Sequence, residues 1–543
     1  MKAAYDVVVV GSGFGGAISA CRLAEAGRSV CVLERGKRWS RTDFPRSPGQ
    51  VANAFWRDNK SYGFLDYRVF KRIDVIQGCG VGGGSLHYFN VHLRTPHEIF
   101  MSPAWPKEVK RAVLDPYYSR AECMLGSQPL SPSNRALPPR TQAFGEAAAA
   151  TGRKAELVPI GVYTGEDRLN PHSGIPQSGC DYSGNCLLGC DLHAKNTVDI
   201  TYLAVAEKSG AEVFPLHRVE KIEPDDQSGY RVHFRRTDPA DPGRSEPGMV
   251  AGRKVILAAG TLGTTELLLR CRDLHRTLPN IGVALGSRFS ANGDFLLAAT
   301  LDSSRHIDPA VGPSITVGTD FSTADNRIFI EDLGYPEPFM WLLEGAIPNA
   351  SHLKNLFRSI KSYIRATVGA DSGRIAFEAD RLFRGGVTTR MLPYLGMGTD
   401  AADGRLKLTD GCIDIQWSHR RSRPLFNEIE RALKDLSAGL DGRYETSPLW
   451  RWPLRKLLTA HPLGGCPMGD QPDSSVVRHQ GELWGCPNLY VADGSAIPSA
   501  LSVNPSLTIS ALAERVAFWM SHGCEMQPGE AYVVPPEVLR PQL

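Results

Sequence analysis

The stretch of residues 5–34, YDVVVVGSGFGGAISACRLAEAGRSVCVLE, constrains this chain more than any other. Residues 7–10 are an apolar, β-branched run, the pattern of a strand buried on both faces in a parallel sheet. Gly11, Gly13 and Gly16 follow as GxGxxG, with Phe14 and Gly15 inside the motif. The first glycine suits a tight turn, the second lets backbone approach a pyrophosphate, and the third lets helix pack on strand. Small residues at Ala17, Ala20, Cys21 and Ala24 then give one helical face, Gly27 can cap the end, and residues 29–33 form the next strand. Glu34 ends it, near the ~20-residue offset at which a carboxylate accepts from an adenosine ribose. Strand, turn, helix, strand and acid in this order predict a βαβ unit that binds an adenine dinucleotide.

The chain has 543 residues, 42% of them hydrophobic, enough for a large core and for two or three domains built from interleaved segments. A net charge of +3 with no basic stripe argues against nucleic acid as a partner. The first strand begins almost at the initiator Met, so a cytoplasmic location is expected. No apolar run approaches the about 18 residues of a membrane span. Twelve cysteines, thinly spread, read as reduced thiols rather than a disulfide framework.

Further signals follow along the chain. After an aromatic excursion comes a second glycine cluster, Gly78, Gly80, Gly82, Gly83 and Gly84, ending in Ser85, Leu86 and His87. Having few Cβ atoms, such a loop can lie against a flat or phosphorylated ligand. Cys180, Cys186 and Cys190 form C-x5-C-x3-C with His193 nearby; metal sites favour shorter paired spacings, so no metal is expected there. A helix is expected over 201–210, then strands and a meander through Arg235. Residues 254–261 read as a buried strand entering a small-residue turn at Gly260, with a helix over 264–270 and a turn at Asn292, Gly293 and Asp294. Strand-like runs at 327–331 and 373–378 flank an amphipathic segment, 353–364, whose basic side offers a peripheral membrane contact, though a helix packed on the core fits it better. The last block holds His461 in AHPLGG, a strand over 489–492 ending in Asp493 and Gly494, and Asn504 in VNPS before a helix over 507–519.

Taken together, the βαβ unit, GCGVGGGSL, VILAAGTLGTTELL and HPLGG…LYVADGS…VNPS resemble the glucose–methanol–choline (GMC) oxidoreductases, and among them the cholesterol-oxidase-like branch. The resemblance covers nearly the whole chain, more loosely in the middle. It implies an α/β fold: a Rossmann-type FAD-binding domain assembled from 1–45, 75–105, 195–300 and 456–520. A substrate domain on a mixed or antiparallel sheet with helices would take 46–74, 106–194 and 301–455, and 521–543 would be a tail. It implies FAD, with Gly11, Gly13 and Gly16 at the pyrophosphate, Glu34 at the ribose and Val219 at the adenine. Gly82, Gly83, Gly84 and Ser85 would approach the flavin, Gly260 would bring backbone to the cofactor, and Asp493 and Gly494 would lie by the ribityl and pyrophosphate. His87 corresponds in position to a histidine that choline oxidases attach covalently to FAD; a noncovalent wall is favoured, since cholesterol oxidases of this type carry other residues there. Thr265 stands where the family's second signature usually has Pro or Ser.

The resemblance further implies that a hydride leaves a carbinol carbon while the hydroxyl proton is taken or shared. His461 and Asn504 match the family's pair for that task, His461 binding or deprotonating the hydroxyl and Asn504 orienting it. Glu331, in IFIED, resembles the active-site glutamate of cholesterol oxidases, and its apolar setting suits a base or a helper in sterol isomerisation. The expected activity is oxidation of a hydrophobic secondary alcohol, a sterol 3-hydroxyl first among them, with oxygen, a quinone or a carrier protein as acceptor. Lyases and light-driven decarboxylases share the scaffold and remain the rival class, a dehydrogenase for a non-steroid alcohol is the other alternative, and a nonenzymatic flavin- or lipid-binding protein is the second rival. Oligomeric state is left open.

Overall fold

The computed structural model describes residues 1–131, 135–225, 229–302, 305–339, 388–446, 450 and 455–527. Its first unit is β1 (Ala4–Val10), α1 (Phe14–Glu25) and β2 (Val30–Leu33). Residues 7–10 and all of β2 are buried, as a strand covered on both faces requires. The strands pair in parallel from Val7 opposite Val30 to Val10 opposite Leu33.

Four more strands extend this sheet: β3 (Glu212–Phe214), β4 (His217–Asp225), β5 (Gly229–Thr237) and β6 (Ser245–Leu257). With Leu489–Val491 on β6 they complete a seven-stranded sheet in the path β3-β2-β1-β6-β5-β4. β6 is the pivot. Its second half runs parallel to β1 and to Leu489–Val491, and its first half runs antiparallel to β5. One long strand therefore joins the parallel nucleotide-type sheet to the expected meander.

A second sheet of six strands is antiparallel throughout. At its centre Phe295–Thr300, Met391–Gly398 and Ile328–Asp332 lie side by side, which puts Glu331 in the middle of the layer. Helix Arg423–Ala438 covers one face with Leu425, Phe426, Ile429, Leu433 and Leu436, spaced to share one side of a helix. Gly396 and Gly398 permit that closeness; a Cβ on Gly396 would lie 2.5 Å from a methyl of Ile429. The segments 353–364 and 373–378 lie outside the described residues. Among the described residues no helix is long and apolar enough to cross a membrane.

Two helices differ from expectation in their starts. The 201–210 helix is a π-turn, Asp199–Leu203, running into a short α-helix, Ala204–Lys208. The helix expected from 264 begins at Gly260, whose amide donates to the Asp493 carboxylate at 2.9 Å and so gives the first turn a partner from the distant C-terminal block.

The C-terminal helix, Ser506–His522, packs against α1 through a buried ion pair. The Arg22 Nη2 donates to Glu514 Oε1 at 2.7 Å, its Nε donates to Oε2 at 2.9 Å, and the Tyr202 hydroxyl donates to Oε1 at 2.8 Å. Glu514 is wholly buried; although burial pushes its carboxyl up, Arg22 holds it below the usual range. Glu514→Leu removes the buried carboxylate that Arg22 and Arg120 share, leaving Arg22 only Glu25, and should cost about 3–5 kcal/mol in urea unfolding, part of it regained when Arg22→Met is added. A single-variant loss under about 1 kcal/mol would show that this pair does not hold the two ends together.

Candidate active site

The two glycine loops meet as bare backbone. A Cβ on Gly83 would lie 2.5 Å from the Gly13 Cα, and one on Gly36 would lie 2.3 Å from the Gly80 nitrogen. Gly11 has φ +96°, a conformation that favours glycine, and a Cβ there would press on the Ala258 carbonyl oxygen at 2.4 Å. Gly15 touches the C-terminal block, since its Cβ would fall 1.8 Å from the Ala492 oxygen, and Gly16 passes as closely by the Gly11 oxygen. Phe14 packs edge-on against Tyr88, beyond the second loop, at 5.3 Å. By contrast, nothing lies within 4 Å of a Cβ built on Gly84 or Gly260.

Glu34 is the knot between the loops. Its Oε2 accepts from the Ser12 amide (3.1 Å) and hydroxyl (2.7 Å), and its Oε1 accepts from the amides of Gly36 (2.9 Å) and Gly80 (3.2 Å). The Ser12 hydroxyl also takes the Gly82 amide at 3.2 Å. Ser85 is turned inward, donating to the Gly82 carbonyl and accepting from the Val198 amide. Val219 lies on β4 at a register shift against β5, where the ladder leaves backbone groups available. The β4 strand starts beside Glu34, with the His217 amide donating to the Glu34 carbonyl at 2.7 Å.

Asp493 joins the helix at Gly260 to the C-terminal block. Its Oδ1 accepts from the Ser495 amide and hydroxyl, and its Oδ2 from the Gly260 amide and the Thr264 hydroxyl. Burial pushes its carboxyl up, and these donors oppose that. Gly494 follows it in a short turn against Thr261 and Ile509.

An FAD fits these residues on two observations. The twelve-residue α1 starts at Gly13 with no side-chain cap and no acidic residue in its first turn, leaving its end N–H groups for an anion. Deeper in, His87 Nε2, Asn90 Oδ1, Glu331 Oε1 and Asn504 Oδ1 are buried with no partner from the chain. Buried polar atoms are normally satisfied, and Glu331 Oε1 and Asn504 Oδ1 belong to side chains bonded to each other, so this pair marks where a polar-edged group belongs.

The proton-handling candidates fall in two bonded pairs, Asn504 with Glu331 and His461 with Asp294. Asn504 Nδ2 donates to Glu331 Oε2 at 3.2 Å. Glu331 is fully buried, and burial pushes its carboxyl well above the usual range. His87 is pushed down to about 3, first by burial and then by Lys195 and His461, which leaves a neutral imidazole. His461 is 15% exposed at its side chain, and its Nδ1 lies 2.8 Å from Asp294 Oδ1. The other oxygen of Asp294 accepts from the Thr459 hydroxyl at 2.7 Å and the Ala460 amide at 3.1 Å.

Four residues of this region escape a reading of spacing alone. Asp294 and Asn292 look like turn residues in sequence. Yet Asn292 Oδ1 accepts from the amides of Leu501 and Ser502 and its Nδ2 donates to the Val503 carbonyl, fixing the chain just before Asn504. Buried Asp400 holds that turn from behind, accepting from the Ser290 hydroxyl and the amides of Ala291 and Gly293. Lys195, lowered to about 8 by burial, donates to the carbonyls of Leu86 and Cys186 and closes the second glycine loop on the cysteine segment. No local pattern announces these, because each partner is far away in sequence.

All twelve cysteines are free. Burial pushes the thiols of Cys180 and Cys190 up, and Cys186 accepts from Asn90 Nδ2 at 3.2 Å. Among the described residues no group of three or more His, Cys, Asp and Glu is arranged to hold a metal.

Glu331 generates a stability prediction. Its folded form favours the neutral acid, so stability is fully present below the unfolded carboxyl range and is lost as pH rises, by about 1.4 kcal/mol per pH unit until the buried group ionises. Glu331→Gln removes that dependence, so its melting temperature should exceed the parent's at pH 8 and match it at pH 4. Parallel melting curves at every pH would remove the buried acid from the account.

Comparison with known proteins bears on the family and the fold. Residues 5–272 match the N-terminal family model described as GMC oxidoreductase, and residues 440–513 match its C-terminal counterpart. A cholesterol oxidase of Mycobacterium tuberculosis is 31% identical over 549 residues, with 96% of this chain and 92% of that one covered. A cholesterol oxidase of Acinetobacter baumannii is 29% identical, with 94% and 93% covered. Among solved structures, pyridoxine 4-oxidase from Mesorbium loti shares the fold at a TM-score of 0.62 and 17% identity, with 95% of this chain and 99% of that one covered.

Proposed function

The chain belongs to the GMC oxidoreductase family, and within it we propose an FAD-dependent oxidation of a hydrophobic secondary alcohol, a sterol 3-hydroxyl first among them. Alcohol oxidation by a flavoenzyme is common ground with its cholesterol oxidase relatives, and their named substrate supports the sterol. The observation that carries the reading is that the carboxylate of Asp294, bonded to His461, also acts on buried Glu331, which Asn504 bonds, while His461 acts on His87 at the end of the second glycine loop.

In this reading Gly11, Gly13, Phe14, Gly15 and Gly16 hold the pyrophosphate with the open end of α1. Glu34 serves the ribose while bracing both loops, and Val219 serves the adenine. Gly82, Gly83, Gly84 and Ser85 face the ring system, Gly260 offers backbone, and Asp493 and Gly494 attend the ribityl and pyrophosphate. His87 forms a neutral, noncovalent wall. The domain boundaries read from the sequence are retained as part of the proposal. When bound, FAD supplies the acceptor for the hydride.

The chain's own groups do the rest. His461 accepts or shares the hydroxyl proton, so the oxygen gains alkoxide character and the carbinol C–H bond weakens toward hydride loss. Asn504 orients the hydroxyl. Glu331, held neutral by burial, bonds Asn504 and is available to move a proton in a following isomerisation. Oxygen is the favoured acceptor, after the relatives named oxidases.

Anaerobic mixing of the holoenzyme with a 3-hydroxysterol should bleach the flavin's visible band, and admitting air should restore it. Colour that persists with every alcohol, with product formed only in light, would move the chain to the rival class; recovery only with a quinone or carrier would replace oxygen. His461→Ala should abolish turnover with FAD still bound, and acid precipitation should leave the yellow colour in the supernatant. Colour in the pellet would establish a covalent link.

A further inference from the structure

Asp294 lies 2% exposed at the end of the turn that also carries Asn292, 167 residues before the histidine it meets. Its two oxygens divide their work. Oδ2 is fixed by the Thr459 hydroxyl and the Ala460 amide, which belong to the loop that delivers His461, while Oδ1 faces His461 Nδ1 at 2.8 Å. The His461 amide in turn donates to the Thr459 hydroxyl at 2.9 Å. The carboxylate therefore cannot swing away without breaking the loop, and the ring cannot turn without losing the carboxylate.

The turn is equally constrained from behind. Asp400 takes its Ser290 hydroxyl and two of its amides. Gly293, at φ +66°, passes so close to the end of strand Met391–Gly398 that a Cβ would lie 2.4 Å from the Gly398 oxygen. A buried acid anchored on three sides is more than a loop staple, because the oxygen left over is aimed at one nitrogen of the reacting imidazole.

We propose that Asp294 is a positioning residue: it holds His461 in the tautomer with hydrogen on Nδ1, so that the Nε2 lone pair is presented to the substrate hydroxyl. A carboxylate oxygen accepts, so the hydrogen between them is on Nδ1, and a neutral imidazole then has its acceptor at Nε2. During turnover the alcohol O–H bond breaks, its proton passes to Nε2, and the carbinol hydride leaves to the FAD that the family activity supplies. The imidazolium so formed donates from both nitrogens, and Asp294 stabilises it. The role of Nε2 rests on the proposed function of the preceding subsection; the tautomer does not.

The first test is made on parent holoenzyme without substrate. Nitrogen-15 NMR of labelled protein, with the His461 signals identified by their loss in His461→Gln, should show hydrogen on Nδ1 and a bare Nε2. A hydrogen on Nε2 instead overturns the proposal, whatever the enzyme's substrate proves to be. In Asp294→Asn that single tautomer should be lost or mixed, and the anaerobic bleaching rate should fall about 10²- to 10⁴-fold with FAD content and KM nearly unchanged. Thr459→Val, which removes the neighbouring hydroxyl and keeps the carboxylate, should retain the tautomer and lose far less rate. Bleaching by Asp294→Asn within a few-fold of the parent, or an equal loss in Thr459→Val, would overturn the assignment by reducing Asp294 to a structural anchor.

Discussion

The structure depends on backbone meeting backbone between two glycine loops. Gly83, at φ +52°, comes so close that a Cβ on it would lie 2.5 Å from the Gly13 Cα, and Glu34 ties the loops with four accepted hydrogen bonds from Ser12, Gly36 and Gly80. This buried carboxylate is anchored by the chain through both of its oxygens. The loops are thereby pre-shaped before any ligand arrives. The same approach draws in the C-terminal block, since Gly15 rests on the Ala492 carbonyl and Asp493 receives the amide of Gly260. Arg22 and Glu514 repeat the join on the far side of α1, where a buried pair replaces bare backbone.

The sheet explains why such distant segments meet. β6 spends its first half in an antiparallel meander and its second half between β1 and Leu489–Val491. A strand whose two halves serve two arrangements holds segments from both ends of the chain, since β1 and Leu489–Val491 both pair with it, and Asn504 of the C-terminal block bonds Glu331 of the antiparallel sheet. The family assignment rests on the whole chain rather than on this site alone, with both family models and a 31% identical relative in agreement.

What could be read from sequence was whatever repeats locally. The apolar run at residues 7–10, the GxGxxG turn, the second glycine cluster and the buried strands at 254–257 and 489–491 carry their own periodicity or steric signature, and each forms as a strand or turn of the expected kind. The second sheet was legible only as a kind, mixed or antiparallel, and proves antiparallel. The positioning residues were not legible. Asn292 and Asp294 have the composition of any turn, and Asp400 that of any loop acid; their meaning lies in partners more than 100 residues away. Long-range polar contacts of this kind leave no spacing to read, because each needs only one residue placed by the fold.

One turn consequently governs both candidate proton-handling groups, Asn292 bracing the chain ahead of Asn504 and Asp294 bracing His461. The chemistry proposed for this arrangement is the loss of a hydride from a carbinol carbon as its hydroxyl proton departs. The most direct test is single-turnover, anaerobic bleaching of the flavin by a sterol carrying deuterium in place of hydrogen at the carbinol carbon. The account predicts that the deuterated sterol bleaches the flavin several-fold more slowly than the ordinary one, whereas equal rates, or no bleaching by either, would contradict it.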